Sequence, residues 1–438
     1  MLKKIFLCFF CIFLLGGAVF PVKAYEPTGF DISAKAALLV SLDTGDVLYN
    51  KNPDQKVYPA SITKIMTTIL ILENEKYQPE AKLAMTEEVQ KIISGTGSSV
   101  SNLKVGEEIK QIDLVYFVLM SSFGDCAYLA AMYYGGSVDG FVAMMNEKAA
   151  ELGLSGTHYG NPVGLHDEET YTTANDIHTL TVYALKNATF KTVCESLRYT
   201  VEATNMSGKR TISTTNFLQD VNTNYYYQYA HGVKTGYTDE AGRCLVSTAS
   251  YNGYNYLCVV MGCPPRETRH FTDSSALYRW AFNNFSFKEI ANSKEPICEI
   301  PVNLSLETDF APLYFEKPFI TVLPNEADDS TIVVKTHLKS DAVDAPIKKG
   351  DILGTADIVY AEEVIGTVNL VANNDIAASR LLTVFRAVKN FFGSIYMKLF
   401  LGLIAVLILI FILLCIRLNY HRRRKRRVKY IPYSNKKR

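Results

Sequence analysis

Ser61 and Lys64 stand three residues apart just after Pro59, which suits the first turn of a helix, so hydroxyl and amine share one helical face near its N-terminus. A serine hydroxyl is a weak nucleophile until a base takes its proton. A lysine in the next turn becomes such a base when burial and a second cation bring its proton affinity down toward neutrality, and the positive helix end favours the developing negative charge. The same spacing recurs at Ser101 with Lys104 and at Ser434 with Lys437, so by itself it is weak evidence and fits a solvated helix face better than a site. A second group is Lys234, Thr235 and Gly236, which ends the extended stretch Tyr229 to Val233. On an edge strand these residues offer a cation, a hydrogen bond and close backbone approach to a carboxylate. They equally make a common surface turn. The seven histidines fall in no HExxH or paired-ligand pattern, so no metal site is expected.

The elements around these groups follow from pattern. Ala36 to Leu42 and Val47 to Asn50 flank the turn residues Asp43 to Asp46, which predicts a hairpin, and Cys244 to Ser250 with Tyr256 to Met261 flank Asn252 and Gly253, which predicts another. Helical segments are expected at Ile62 to Leu72, Gln111 to Ala131, Val138 to Leu152, Ala174 to Leu185 and Glu267 to Asn283. Strands at both ends of a helical middle imply a sheet whose edges are distant in sequence. From about residue 293 the texture changes to short β-branched runs, Ile297 to Val302, Phe319 to Leu323, Thr331 to Leu338, Ile352 to Val359 and Val364 to Val371, as in a smaller all-β module.

With 438 residues, 48% hydrophobic and 20% charged, the chain has the composition of folded protein and room for two domains. Its net charge of +1 hides an uneven distribution: the first 24 residues hold three basic groups, the last 22 hold eleven, and neither segment holds an acid. The middle, with 31 basic against 44 acidic residues, is a poor surface for nucleic acid. Lys3 and Lys4, an apolar run from Ile5 to Phe20 and small residues up to Ala24 read as an export signal, with an uncleaved anchor as the rival. Leu399 to Ile416 is an unbroken apolar stretch, long enough as a helix (about 27 Å) to cross a bilayer core. Arg417 and the cluster Arg422 to Arg427 follow it, and the bias of basic residues toward the cytoplasm turns the acidic middle outward. Between module and membrane, Ile376 to Phe392 mixes apolar groups with Arg380, Arg386 and Lys389, as an interfacial helix or a plain spacer. Six cysteines lie outside the membrane segments without CxxC spacing and read as small core residues, their pairing left open.

Taken together, PASITKIMT around Ser61, HGVKTGYT around Lys234 and the following AGRCLVSTA resemble the serine D-alanyl-D-alanine carboxypeptidases of the low-molecular-mass penicillin-binding type. The likeness extends through ALLVSLDTGDVLYNKN, GSSVSNLKVGE, MNEKAAELGLSGTHYGNPVGLHD, RETRHFTDSSALYRW and APIKKGDILG, roughly residues 30 to 375. The resemblance implies an α/β (α+β) fold, a helix-flanked antiparallel sheet with a helical subdomain and a small all-β C-terminal domain, to which the apolar run adds a C-terminal transmembrane helix. The expected division is a signal peptide over 1–24, a catalytic domain over 25–292, a β-rich domain over 293–375, a juxtamembrane segment over 376–398, a transmembrane helix over 399–418 and a cytoplasmic tail over 419–438.

The resemblance further implies that Ser61 attacks the carbonyl between the last two D-alanines of a peptidoglycan stem peptide, forming an acyl-enzyme without any cofactor. Lys64 is then the proton acceptor, Lys234 and Thr235 bind the terminal carboxylate beside Gly236, and the backbone N–H groups of Ser61 and Tyr237 form the oxyanion hole. β-Lactams are the expected inhibitors. Where the family has Ser-x-Asn followed by Asp, this chain has Ser122, Phe123, Gly124 and Asp125, so Ser122 can relay a proton but no asparagine amide is supplied. Thr215 falls where some relatives carry an arginine for the carboxylate. A wall-binding scaffold without hydrolysis and a β-lactamase are the competing readings.

Overall fold

Ala36–Ser41 is buried at all six positions, the mark of a strand enclosed on both faces and both edges. In this computed structural model, which describes Tyr25, Pro27 and residues 29–291 and 293–427, it lies inside a five-stranded sheet. The predicted export signal, boundary position 292 and the tail pair Ser434 and Lys437 fall outside the described residues. Strand order across the sheet is Val47–Lys51, Ala36–Ser41, Tyr254–Cys263, Gly242–Tyr251 and Ala230–Thr238. All neighbours are antiparallel, and Ala36 pairs with Met261. Asn252 and Gly253 sit at φ 52° and 86°, as a two-residue hairpin turn requires.

Successive side chains of a strand point to opposite faces, and the core divides accordingly. Ala36, Leu38 and Val40 join a cluster with the middle helices, whereas Ala37 and Leu39 pack with Phe271, Leu277, Tyr278 and Ala281 of the helix Arg269–Asn284. Lys64–Glu73 is a core helix, with eight of its ten residues buried. The segment expected to be one helix over Gln111 to Ala131 is two, Gln111–Leu119 and Gly124–Gly135. The break falls at Ser122, whose φ of 64° lies in a left-handed region that a helix cannot continue through. Cys126, Cys194, Cys244, Cys258 and Cys263 are buried free thiols, and burial raises the proton affinity of all five.

The chain forms two compact units. One holds the described residues up to Ile290 with Phe319–Ile332 and Tyr360–Ile365; the other holds Ala291–Pro318, Val333–Val359 and the chain from Gly366 onward. The run at Phe319, which the sequence pattern groups with the smaller module, instead pairs as Phe319–Pro324 with Phe285–Ala291 in the first unit. Most of a six-stranded sheet belongs to the second unit, with strands that the sequence reading did not anticipate at Phe310–Phe315 and Val343–Asp344. Ile300, Leu313, Ile358 and Leu370 are buried there. Two helices follow, Arg380–Gly393 with no buried residue and Ile395–Arg427. The second contains an apolar span over Ile395–Arg423 whose most apolar window is fully exposed, which is long enough to cross a bilayer.

Candidate active site

A turn of 3-10 helix, Ala60–Thr63, precedes the buried helix Lys64–Glu73 and carries Ser61 at its half-buried edge. Lys64, 1% exposed, donates from Nζ to Ser61 Oγ at 2.9 Å and to the carbonyl of Val163 at 2.8 Å. The Val163 loop is itself fixed. Asn161 Oδ1 accepts from the backbone N–H groups of Val163, Gly164 and Leu165, and the carbonyl of Pro162 accepts from Thr67 Oγ1 at 2.7 Å. Gly164 has a φ of 80° and packs so closely on the Ala60 carbonyl that a Cβ has no room.

Lys234, Thr235, Gly236 and Tyr237 belong to Ala230–Thr238, the edge strand of the main sheet. A Cβ on Gly236 would lie 3.0 Å from the Pro59 carbonyl and 3.1 Å from Ser61 N, so glycine lets this strand reach the turn that carries the hydroxyl. Thr235 Oγ1 lies 2.5 Å from Thr215 Oγ1. Asn216, buried, donates to the carbonyl of Gly232 at 2.5 Å and holds the start of the strand. Lys234, 1% exposed, donates to the carbonyl of Thr235 at 3.0 Å.

The two buried amines are near enough for the charge of one to act on the other. Burial, then the charge of Lys234, hold the proton affinity of Lys64 well below the usual lysine range, against a smaller opposing effect of Asp125. Burial brings Lys234 down to about 7. Both effects favour the neutral form of Lys64, the form in which an amine can accept a proton.

An open cleft of about 520 Å³ is lined by Ser61, Ser122, Thr215, Thr235, Gly236 and Tyr237, among others, and Lys64 is buried beneath it against Ser61. Ser122 lines the cleft and has a left-handed backbone. The rival pair separates: Ser101 is buried with its hydroxyl donating to Asp125 at 2.5 Å, and Lys104 Nζ donates instead to the carbonyl of Met206 at 3.3 Å. Sequence reasoning did not single out Asn161, Val163, Asn216, Ser98, Arg243 or His270. Asn161–Pro162 is a turn dipeptide that could have drawn attention, but a backbone carbonyl such as that of Val163 leaves no residue-type signal. Arg243 lines the cleft with its guanidinium 4.8 Å from the centre of the Tyr237 ring. His270, 3% exposed, is driven down to about 3 by burial and then by Arg243.

A family model described as D-alanyl-D-alanine carboxypeptidase matches residues 21–264, more than half of the chain. The chain belongs to the D-alanyl-D-alanine carboxypeptidase family. A second model, the C-terminal domain of penicillin-binding protein 5, matches residues 288–378. Among relatives of this carboxypeptidase family, D-alanyl-D-alanine carboxypeptidase DacF of Bacillus subtilis is 30% identical over 352 residues, covering 80% of this chain and 87% of its own. Penicillin-binding protein 5 of Haemophilus influenzae superposes with a TM-score of 0.66 at 25% identity, covering 80% of this chain and all of its own. The Streptomyces K15 DD-transpeptidase superposes with a TM-score of 0.55 at 28% identity over 58% of this chain and 99% of its own. The helix-flanked sheet and the β-rich C-terminal domain are thus those of the carboxypeptidase family.

Proposed function

We propose that this serine hydrolase removes the terminal D-alanine from peptidoglycan stem peptides through an acyl-enzyme on Ser61. The observation that carries the proposal is the contact of buried Lys64 Nζ with Ser61 Oγ at 2.9 Å. In that contact the neutral amine takes the serine proton as oxygen attacks the penultimate carbonyl. The N–H groups of Ser61 and Tyr237 receive the oxyanion, a kind of interaction worth about 3 kcal/mol per donor. Thr235, with Thr215 hydrogen-bonded to it, and the Lys234 amine receive the terminal carboxylate. Ser122 relays that proton from Lys64 to the departing D-alanine nitrogen as the C–N bond breaks, and water then hydrolyses the acyl-enzyme, restoring the Ser61 hydroxyl and releasing the shortened peptide. β-Lactams, which carry a comparable carbonyl and carboxylate, acylate the same hydroxyl.

The apolar helix anchors the protein in a membrane. We further place the first unit on the wall side and the C-terminus in the cytoplasm, on the strength of the basic residues that follow the span. The scaffold and β-lactamase readings are not favoured, since the matching family model and the Bacillus subtilis relative are named D-alanyl-D-alanine carboxypeptidase. Incubating the purified chain with an acylated L-Lys-D-Ala-D-Ala tripeptide tests the proposal. D-alanine release that disappears in Ser61→Ala supports it, and release that persists in the variant overturns it.

A further inference from the structure

Residues 96–99, in the loop after the helix Glu87–Ile93, line the cleft and include three that carry hydroxyls: Thr96, Ser98 and Ser99. Thr96 is committed, donating to the carbonyl of Ile93 at 2.8 Å. Ser99 is exposed, and its backbone carbonyl accepts from Gly124 N at 2.8 Å. Ser98 is half-buried and backed by Gly124. A Cβ at position 124 would overlap Ser98 Oγ and lie 2.9 Å from Val163 Cγ1 and 3.1 Å from Ile93 Cδ1. The bare glycine therefore makes the space that the Ser98 hydroxyl fills, beside the residue whose carbonyl holds Lys64.

We infer that Ser98 contacts the substrate, its hydroxyl bonding the amide on the acyl side of the scissile bond, and that Gly124 seats it there. The inference rests on the carboxypeptidase reading. An acyl-D-Ala-D-Ala chain brings three polar groups into the cleft. The scissile carbonyl is met by Ser61 and the oxyanion donors, and the terminal carboxylate by Thr235 with its neighbours. The preceding amide loses water on entry and needs a partner. A hydroxyl both donates and accepts, so Ser98 can answer either end of that amide from an element separate from the edge strand.

The test measures D-alanine release by the full chain on two substrates, acylated L-Lys-D-Ala-D-Ala and the analogue whose Lys–D-Ala amide is an ester. Wild type should prefer the amide in kcat/KM by about tenfold, as one hydrogen bond supplies. Ser98→Ala should abolish that preference, with its loss confined to the amide substrate and its thermal midpoint unchanged. Gly124→Ala, which keeps the hydroxyl but displaces it, should lose the preference as well, and Ser98→Gly combined with Gly124→Asn should outperform Gly124→Asn alone. An active wild type whose preference survives in Ser98→Ala overturns the inference and leaves the carboxypeptidase reading intact. A wild type that releases no D-alanine from either substrate sinks both.

Discussion

Lys234 lowers the proton affinity of Lys64, and the two amines are each only 1% exposed. They come from elements 170 residues apart in the chain, a buried helix start and a sheet edge. Like charges in a low-dielectric interior repel strongly, so the second lysine acts on the first before any substrate arrives.

Replacing Lys234 by the uncharged Gln removes that repulsion. The proton affinity of Lys64 then rises, its neutral form is lost at a higher pH, and the acidic limb of the acylation profile moves toward alkaline values. Stopped-flow acylation across pH, measured on the residual activity of Lys234→Gln against wild type, checks the direction. A limb that stays put or moves toward acid contradicts the coupling.

Thr215 and Thr235 share a hydrogen bond at 2.5 Å, so Thr215→Ala frees Thr235 from its orienting partner. One neutral hydrogen bond corresponds to a rise in KM of about 3- to 10-fold, with kcat nearly unchanged. Steady-state kinetics on a D-Ala-D-Ala peptide separates the two constants.

Gly236→Ala adds a methyl group 3.0 Å from the Pro59 carbonyl and 3.1 Å from Ser61 N. The strand and the nucleophile turn must part by a few tenths of an ångström, which misaligns the oxyanion donors. The expected result is a fall in kcat of at least about tenfold, on the scale of losing part of one such donor. Calorimetry should show a much smaller change in thermal midpoint than the kinetics would suggest.

Asn161→Ala strips the acceptor from three backbone N–H groups. Leaving such groups unsatisfied costs about 1–3 kcal/mol, and the loop that positions Val163 under Lys64 loosens. Urea denaturation and the acylation rate should fall together, which distinguishes this variant from Gly236→Ala.

Much of the fold is legible in the sequence because alternation and turn chemistry are local. The hairpin at Asn252 and Gly253 and the helix Ala174–Leu185 follow from such patterns. Gln111 to Ala131 misleads because the apolar runs Leu114 to Met120 and Cys126 to Ala131 read as one helix, although Ser121, Ser122, Gly124 and Asp125 between them have the composition of a break. Phe319–Pro324 looks like its β-branched neighbours in sequence, and only its partner Phe285–Ala291 assigns it to the other unit. In the cleft, side chains with distinctive chemistry, Ser61, Lys64 and Lys234, can be picked out by type. The Val163 carbonyl and Ser98 cannot, since one belongs to the backbone and the other gains meaning only from the missing Cβ at position 124.

Labelling the full chain with a reporter penicillin, followed by digestion and peptide mapping, asks most directly whether Lys64 activates Ser61. The adduct should map to Ser61 and vanish both in Ser61→Ala and in Lys64→Met, which removes the base. An adduct on Ser101, or undiminished labelling in Lys64→Met, would contradict the mechanism.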